Sequence, residues 1–599
     1  MLLLHRSRNQ ALVLVVIVLI TVMAERTLQL SIAGREIHAD EVWSIWQLTG
    51  PQTDYTRDTN WPPLYYILLD LWWRLVGLQP IALRFLSVLV NLIGVACLYR
   101  AMRRIRNESA ALLGAVAFSA LAVNIYLTAQ VRGYALVVGL LPVAFWLTLR
   151  YFDHPTVGRG ALLGLVMAAM FYTAYASAAA FLVLGIYTLL VYRQAIWRWW
   201  LPGVVGGLVA IPPIAGIFSL ATRRLGPLSQ LKLPPFLSAV ADVFRGDVGY
   251  SAVPWLILFI AATLAIIYYE RPPRMRAVAL LAWGLSPALF YVLTPIFGLW
   301  GSMYEWFITP GLVLWIAWGL SYLPRVAKVA AGVVLVGILF TPIPIKDITA
   351  QTQPLGQSME WLGKNMRWGD VIVIDPLWKD RFCNCIRADM FEYFADLYFP
   401  QGLQIVTDPD GYRRVWYLKW DSLEDKAFEA RVRQNRVAED FVGPPEALFR
   451  LYEAPPDITG IPFANGMRFH GIDPVDGATN LLARRSGDKF RVRLWWSVDH
   501  PPNLDYSVSL QVLVNGQVAI QSDSAPQVTA PNMPRETSKW QPGQYYIEER
   551  ELEVPRSFKE GTYPLYLVVY DSQNKTRFTA PGVNADNMLP MYTLYVKAF

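Results

Sequence analysis

Asp40 and Glu41 stand side by side within residues 36–43, just after the first apolar run of a chain that is otherwise largely lipid-soluble. Two adjacent carboxylates at a bilayer edge can do proton chemistry: beside a partly desolvated cleft, one takes the proton of a hydroxyl while the other orients it or binds further hydroxyls. The same pair can equally solvate a loop or cap a helix that begins at Glu41. Cations suited to an anionic group follow. Arg84 starts an apolar span, and Arg132 lies in Gln130-Val-Arg-Gly-Tyr134, where a guanidinium can offer two parallel N–H donors. For Arg84, interfacial snorkelling is an equal account. Arg57 and Asp58 share a loop with the carboxylate pair, either shaping a cavity or merely solvating it. Glu305, at the head of a late span, can face the same cavity, although the helix dipole suffices to explain an acid there. His38 beside Asp40 admits a divalent metal, but one His and two acids do not specify a site. No cofactor is certain from the sequence, and none is assigned.

The elements that must position these residues are mostly membrane helices. Of the 599 residues 54% are hydrophobic, and apolar runs of spanning length crowd the chain as far as residue 342. Candidate spans are 11–24, 82–102, 110–128, 134–151, 160–175, 176–192, 201–221, 253–269, 277–295, 304–322 and 326–340. That makes about eleven, with residues 64–77, interrupted by Asp70 and Arg74, read as a juxtamembrane helix because a span there would put Arg100, Arg103, Arg104 and Arg106 outside. No ionisable group lies deep in these spans. The net charge of +7 comes from short Lys/Arg clusters flanking apolar runs, which points to a membrane and away from nucleic acid. Placing Arg100, Arg103, Arg104 and Arg106 inside, with the later clusters, makes the N-terminus cytoplasmic and the C-terminal half extracytoplasmic. It also collects Asp40, Glu41, Pro62, Pro63, Arg84, Gln130, Arg132 and Glu305 on the outer face. Residues 222–250, with Arg223 and Arg224, are too polar to span and can form a lid near a bound anion or a passive interfacial loop.

Four blocks in order carry a resemblance: Asp40-Glu41; Pro62-Pro63-Leu64-Tyr65-Tyr66; Leu83-Arg84-Phe85-Leu86-Ser87; and Gln130-Val-Arg132-Gly-Tyr134-Ala-Leu136. Over roughly the first 340 residues the chain resembles the GT-C class of membrane glycosyltransferases. It is most similar to family 39, the protein O-mannosyltransferases, lipid A aminoarabinose transferases and lipopolysaccharide-sugar transferases. The resemblance implies a polyprenyl-phosphate-linked sugar donor, a glycan, lipid or protein acceptor, and an inverting transfer with Asp40 as base. It also implies a bacterial or archaeal plasma membrane setting, with Arg84 and Arg132 on the donor phosphate. Arg57, Asp58, Pro62, Pro63, Tyr65, Gln130, Tyr134, Arg223, Arg224 and Glu305 would line the substrate cavity. Relatives often carry an acid at position 130 and a proline at position 133, where this chain has Gln130 and Gly133.

The fold expected is a polytopic α-helical membrane protein, GT-C-like over 1–344, with a small extracytoplasmic α/β domain over 345–454 and a C-terminal β-sandwich over 455–599. The α/β reading rests on a helix at 358–365, a buried strand at 370–375, a helix at 388–397 and a strand at 414–418. The sandwich reading rests on strands at 490–498, 507–514, 517–521, 545–552 and 563–570, with Asn515-Gly516 as a hairpin turn. Trp495, Trp496, Trp540, Tyr545 and Tyr546 can stack on a sugar or fill the sandwich core. A rival reading is a lipid or glycolipid transporter or flippase with an extracytoplasmic accessory domain, which would place ionisable groups near the bilayer midplane.

Overall fold

The computed structural model describes residues 2–33, 39–49, 62–210, 252–286, 309–341, 355–379, 399, 404–419, 424–443, 448–475, 483–529 and 533–597. The chain forms two compact units, Met1–Trp361 with Cys383–Pro400, and Leu362–Phe382 with Gln401–Phe599. In the first, α1 (Leu2–Ala33) runs well past the span expected at 11–24. It takes in Glu25 and Arg26, both buried and paired with each other, which corrects the expectation that no charge lies inside a span. The reason lies in a later crossing, the α5–α6 pair. Helix α5 (Glu108–Ser119) and helix α6 (Ala122–Thr128), expected as one straight span over 110–128, meet at a bend of 62°. A bend strips helix donors from the last carbonyls of α5, and in a bilayer those carbonyls need others. Arg26 Nη2 donates to Ser119 O at 2.7 Å and Asn124 Nδ2 to Phe118 O at 2.8 Å.

Among the described residues, three helices are long and apolar enough to cross a membrane, in the segments Leu12–Ser31, Pro80–Ile105 and Tyr134–Asp153, or four if the bent pair counts as one. The shorter apolar helices Val157–Phe171, Ala180–Val191, Val253–Tyr269, Met275–Gly284 and Pro310–Leu320 fall on expected spans. The helix Arg325–Leu339 falls on the span expected at 326–340, and the spans expected at 201–221, 277–295 and 304–322 run partly outside the described residues. Helix α3 (Leu64–Val76), at 13 residues, is only about 20 Å long and too short to cross. It is amphipathic, burying Tyr65, Tyr66, Leu69 and Asp70, while Arg74 stays exposed and bonds back to Asp70 at 3.0 and 3.2 Å.

Two helices frame the site. Helix α4 (Pro80–Ile105) starts with proline at its first position, where no N–H is needed, and ends on Arg103 and Arg104, which suit the C-terminal dipole. It lies beside α7 (Tyr134–Asp153) in parallel. At one end Ser87 Oγ donates to Gln130 O at 3.0 Å; at the other Arg104 Nε bonds Asp153 Oδ2 at 2.6 Å. Between them Gly94 and Gly139 let the backbones touch: a Cβ at Gly94 would sit 2.7 Å from Gly139 O. The arginine clusters expected inside and the sequence blocks expected outside therefore occupy opposite ends of this helix pair.

In the second unit, β1 (Val371–Ile374), β2 (Ile405–Val406), β3 (Arg414–Lys419), β4 (Val437–Ala438) and β5 (Leu448–Glu453) form one sheet ordered β2-β1-β3-β5-β4. Strand β1 is parallel to its neighbours β2 and β3, and the remaining pairs are antiparallel. The helix expected at 388–397 lies outside the described residues. Two further sheets enclose an apolar core from Phe463 to Val596. One, ordered β11-β10-β13-β14-β8, joins β8 (Ala483–Arg485), β10 (Tyr506–Val514), β11 (Gln517–Ser524), β13 (Gly561–Asp571) and β14 (Leu589–Lys597). The other, ordered β12-β9-β7-β6, joins β6 (Ile461–Pro462), β7 (Met467–Pro474), β9 (Lys489–Val498) and β12 (Tyr546–Glu553). Asn515 and Gly516, both at positive φ, make the β10–β11 turn, as that dipeptide dictates. Trp495, Trp496, Trp540 and Tyr546 are buried, with Trp540 stacked on Tyr546 at 4.4 Å. Core filling accounts for Trp496, Trp540 and Tyr546; Trp495, on the opposite face of β9, donates to Asp473 Oδ2 at 2.8 Å, and Tyr545 alone of the five is half-exposed.

Candidate active site

Helix α2 (Ala39–Thr49) carries Asp40 and Glu41 in its first turn. Glu41 is 1% exposed, and among the described residues Arg84 and Val131 donate to its carboxylate. Arg84 Nε donates to Oε1 at 2.8 Å and Arg84 Nη2 to Oε2 at 2.7 Å, a two-pronged pair; the backbone N–H of Val131 donates to Oε1 at 2.7 Å. Charge-assisted, bidentate and fully buried, this knot is strong only because both partners are present. It ties α2 to the start of α4 and to the 130–134 segment. Arg84 is thus bound to Glu41 rather than snorkelling to the interface. The side chain of Asp40 lies outside the described residues.

Around the knot, Gln130 and Arg132 are buried, and Gln130 Nε2 has no hydrogen-bond partner among the described residues. Tyr134 opens α7, buried in the main helical core. Gly133 faces the Tyr65 Cβ and Thr173 Cγ2, each 3.4 Å from where its own Cβ would be, so α3 sits directly against this segment. Leu64 N donates to Tyr172 O at 3.1 Å, fixing the Pro62-Pro63 entry to α3 against the end of α8 (Val157–Phe171). Burial first, and the charge of Glu41 second, push the Tyr65 phenol well above its ordinary value, so it remains a neutral hydroxyl.

Of the residues singled out by sequence, Glu41, Pro62, Pro63, Tyr65, Arg84, Gln130, Arg132 and Tyr134 come to one end of the α4–α7 pair. Arg57, Asp58, Arg223, Arg224 and Glu305, with His38, lie outside the described residues. Among the described residues no group of three or more His, Cys, Asp or Glu side chains is placed to hold a metal ion. Sequence reasoning passed over Ser87 and Asn91, which line α4 below Arg84; Asn91 Nδ2 donates to Asn124 Oδ1 at 2.8 Å. Their signal was present: Arg84, Ser87 and Asn91, at i, i+3 and i+7, form one polar stripe on the otherwise apolar first half of the helix.

Residues 60–218 match the family model described as dolichyl-phosphate-mannose-protein mannosyltransferase. The match takes in the Pro62-Pro63, Arg84 and Gln130–Tyr134 blocks and begins after Asp40-Glu41. A search of curated protein sequences finds no significant match. Among solved structures, ArnT from Cupriavidus metallidurans in the apo state is 14% identical, covering 74% of this chain and 98% of its own at a TM-score of 0.48. The archaeal oligosaccharyltransferase AglB from Archaeoglobus fulgidus, in complex with an inhibitory peptide and a dolichol-phosphate, is 8% identical, covering 99% of both chains at 0.44. Arabinosyltransferase EmbB from Mycobacterium smegmatis is 10% identical, covering 93% of this chain and 64% of its own at 0.37. These are distant likenesses, and no residue's role rests on them. Over residues 60–218 the chain is similar in sequence to the mannosyltransferase family, and the resemblance to membrane glycosyltransferases read from the ordered motifs is borne out there.

Proposed function

We propose that this protein is a membrane glycosyltransferase that moves a monosaccharide from a polyprenyl-phosphate donor to an acceptor hydroxyl, with inversion. The carrying observation is the Glu41–Arg84–Val131 knot, which joins segments about ninety residues apart and anchors the helix that bears Asp40. Positions 40 and 41 lie about 100° apart around α2, so anchoring Glu41 fixes the azimuth of its neighbour. In the reaction, the acceptor oxygen bonds to the anomeric carbon as its proton passes to the Asp40 carboxylate. The bond from that carbon to the phosphate oxygen breaks, and polyprenyl phosphate leaves with the electron pair. Glu41 and Arg84 act by positioning. Arg132, beside the knot, takes the growing phosphate charge, a task for which a fixed guanidinium in a dry site is well suited. Tyr65, Tyr134, Gln130 and the Pro62-Pro63 turn shape the cavity, with Arg57, Asp58, Arg223, Arg224 and Glu305 completing it.

The placement of arginine clusters at the opposite end supports a site on the extracytoplasmic side, with the N-terminus cytoplasmic. A transport role would favour buried ionisable groups within a span, and Glu25–Arg26 is such a pair. Its bond to Ser119 O, however, gives it a structural task at the α5–α6 bend. Incubating the purified full chain with a panel of labelled polyprenyl-phosphate sugars and membrane extract tests the reading. Label passing from one donor to an acceptor, with release of polyprenyl phosphate, is expected; every donor remaining intact would sink it.

A further inference from the structure

The second unit holds a cleft of about 640 Å³ at the junction of its α/β sheet and its sandwich, within the size range of small-ligand sites. Its floor is β7 and β9, where His470 and Ser497 meet. One wall is the turn after the helix Lys426–Arg433, with Asn435 and Arg436; the other carries Gln544 and Tyr545. The walls are held rigidly. Across the junction Arg413 Nη1 bonds Asp473 Oδ1 at 2.6 Å, and Arg493 Nη1 reaches Glu453 Oε2 at 3.3 Å. The linker residue Pro456 packs so closely on Gly471, at φ +114°, that a Cβ there would lie 2.7 Å away.

The lining chemistry selects a ligand class. Tyr545 is a half-exposed aromatic platform, its ring set edge-on against His470 at 5.1 Å and against Trp495 at 6.4 Å, so its face is fixed. Around it stand uncharged donors and acceptors: Asn435, Gln544, Ser497 and Thr459. The charges are mostly spent internally. Arg468 grips Asp499 with two bonds of 2.9 Å and reaches Thr459 O at 3.0 Å, while Arg436 donates to the Val432, Pro409 and Tyr412 carbonyls at 2.7–2.8 Å. Arg433, exposed on the same wall, is one cation where a polyanion would need several, and an apolar peptide would need an apolar floor. A sugar needs one flat ring face for its C–H groups and amides and hydroxyls for its own hydroxyls. From this we infer that the cleft is a binding site for a short neutral oligosaccharide, stacked on Tyr545 and bonded by Asn435 and Gln544. The inference rests on the cleft alone and does not depend on the transfer chemistry proposed for the first unit.

The test uses the full chain in lipid nanodiscs free of sugar-based detergent, with saturation-transfer NMR and calorimetry against free mannotriose, chitotriose, laminaritriose and maltotriose, and heparin as an acidic comparison. At least one neutral trisaccharide is expected to bind saturably. Tyr545→Ala should weaken that binding about tenfold, while Tyr545→Phe, which keeps the ring, should stay within about twofold of wild type. Gln544→Ala, at an exposed position, should weaken it several-fold and serves if Tyr545→Ala fails to fold. Failure of every neutral probe overturns the inference. So does wild-type affinity in a folded Tyr545→Ala, or binding of heparin alone.

Discussion

At the scale of single residues, the account turns on Glu41 and Arg84. Each is buried beside the other, so removing one leaves an uncompensated charge. Glu41→Ala or Arg84→Ala is expected to cost about 3–5 kcal/mol in unfolding measurements. The double variant should cost clearly less than the sum, since the two share one interaction; strict additivity would contradict the pair. Arg132→Ala, by contrast, should lower transfer about 10²–10³-fold in the protein that stays folded, as loss of one transition-state donor does. Kinetic assay alongside thermal unfolding separates the two behaviours. In the second unit, burial holds the His470 imidazole below its ordinary value of 6.5, while Ser497 Oγ and Asp457 O fill both ring nitrogens. Because the folded state resists the proton, the stabilisation is present above about pH 6.5 and is lost as pH falls towards the depressed folded value. The unfolding temperature of the second unit should drop over that acid window, and His470→Gln should flatten the drop.

At the scale of elements, the site depends on helices that touch. Gly139 allows α7 to lie on α4, and an added Cβ would meet Val90 O at 2.6 Å, against backbone that cannot swing aside. Gly139→Ala is therefore expected to destabilise the first unit by about 1–3 kcal/mol. It should also slow transfer, although residue 139 lies well below the Arg84–Val131 contact; unchanged kinetics and stability together would show that α4 and α7 tolerate separation. This is also the scale at which reading from sequence partly failed. The order of the blocks and the arginine asymmetry were legible, because charge at a bilayer edge is a one-dimensional signal. The end of α1 was not: Glu25-Arg26 looks like the end of a span until the bend in α5–α6 supplies an acceptor. Nor was the partner of Arg84, which lies 43 residues away at Glu41 and could be found only by folding. In the sandwich, alternation and Asn515-Gly516 revealed the strands. The fate of the aromatics needed the second sheet, since stacking on a sugar and filling a core call for the same residues.

For the whole molecule, the proposed sidedness can be read from the opposed ends of α4 and α7. Gly158, exposed with open space around its Cβ position, follows α7 at the arginine-rich end, and Asn503 is exposed in the second unit. In a background without the native cysteines, Gly158→Cys in intact cells should react with an impermeant maleimide only after the membrane is opened. Asn503→Cys should react at once. Labelling of both from the same side would refute the sidedness, and with it the meeting of donor and acceptor at Asp40.

In the proposed mechanism the anchored carboxylate turn of α2 performs the transfer. The most direct test of that role compares wild type with Asp40→Asn in a single turnover of the donor identified from the panel. With donor binding and unfolding temperature preserved, the variant is expected to lose about 10²–10⁴-fold in transfer, the usual worth of a positioned base. Transfer at the wild-type rate would contradict the role of Asp40 and move the chemistry away from the site assembled around Glu41 and Arg84.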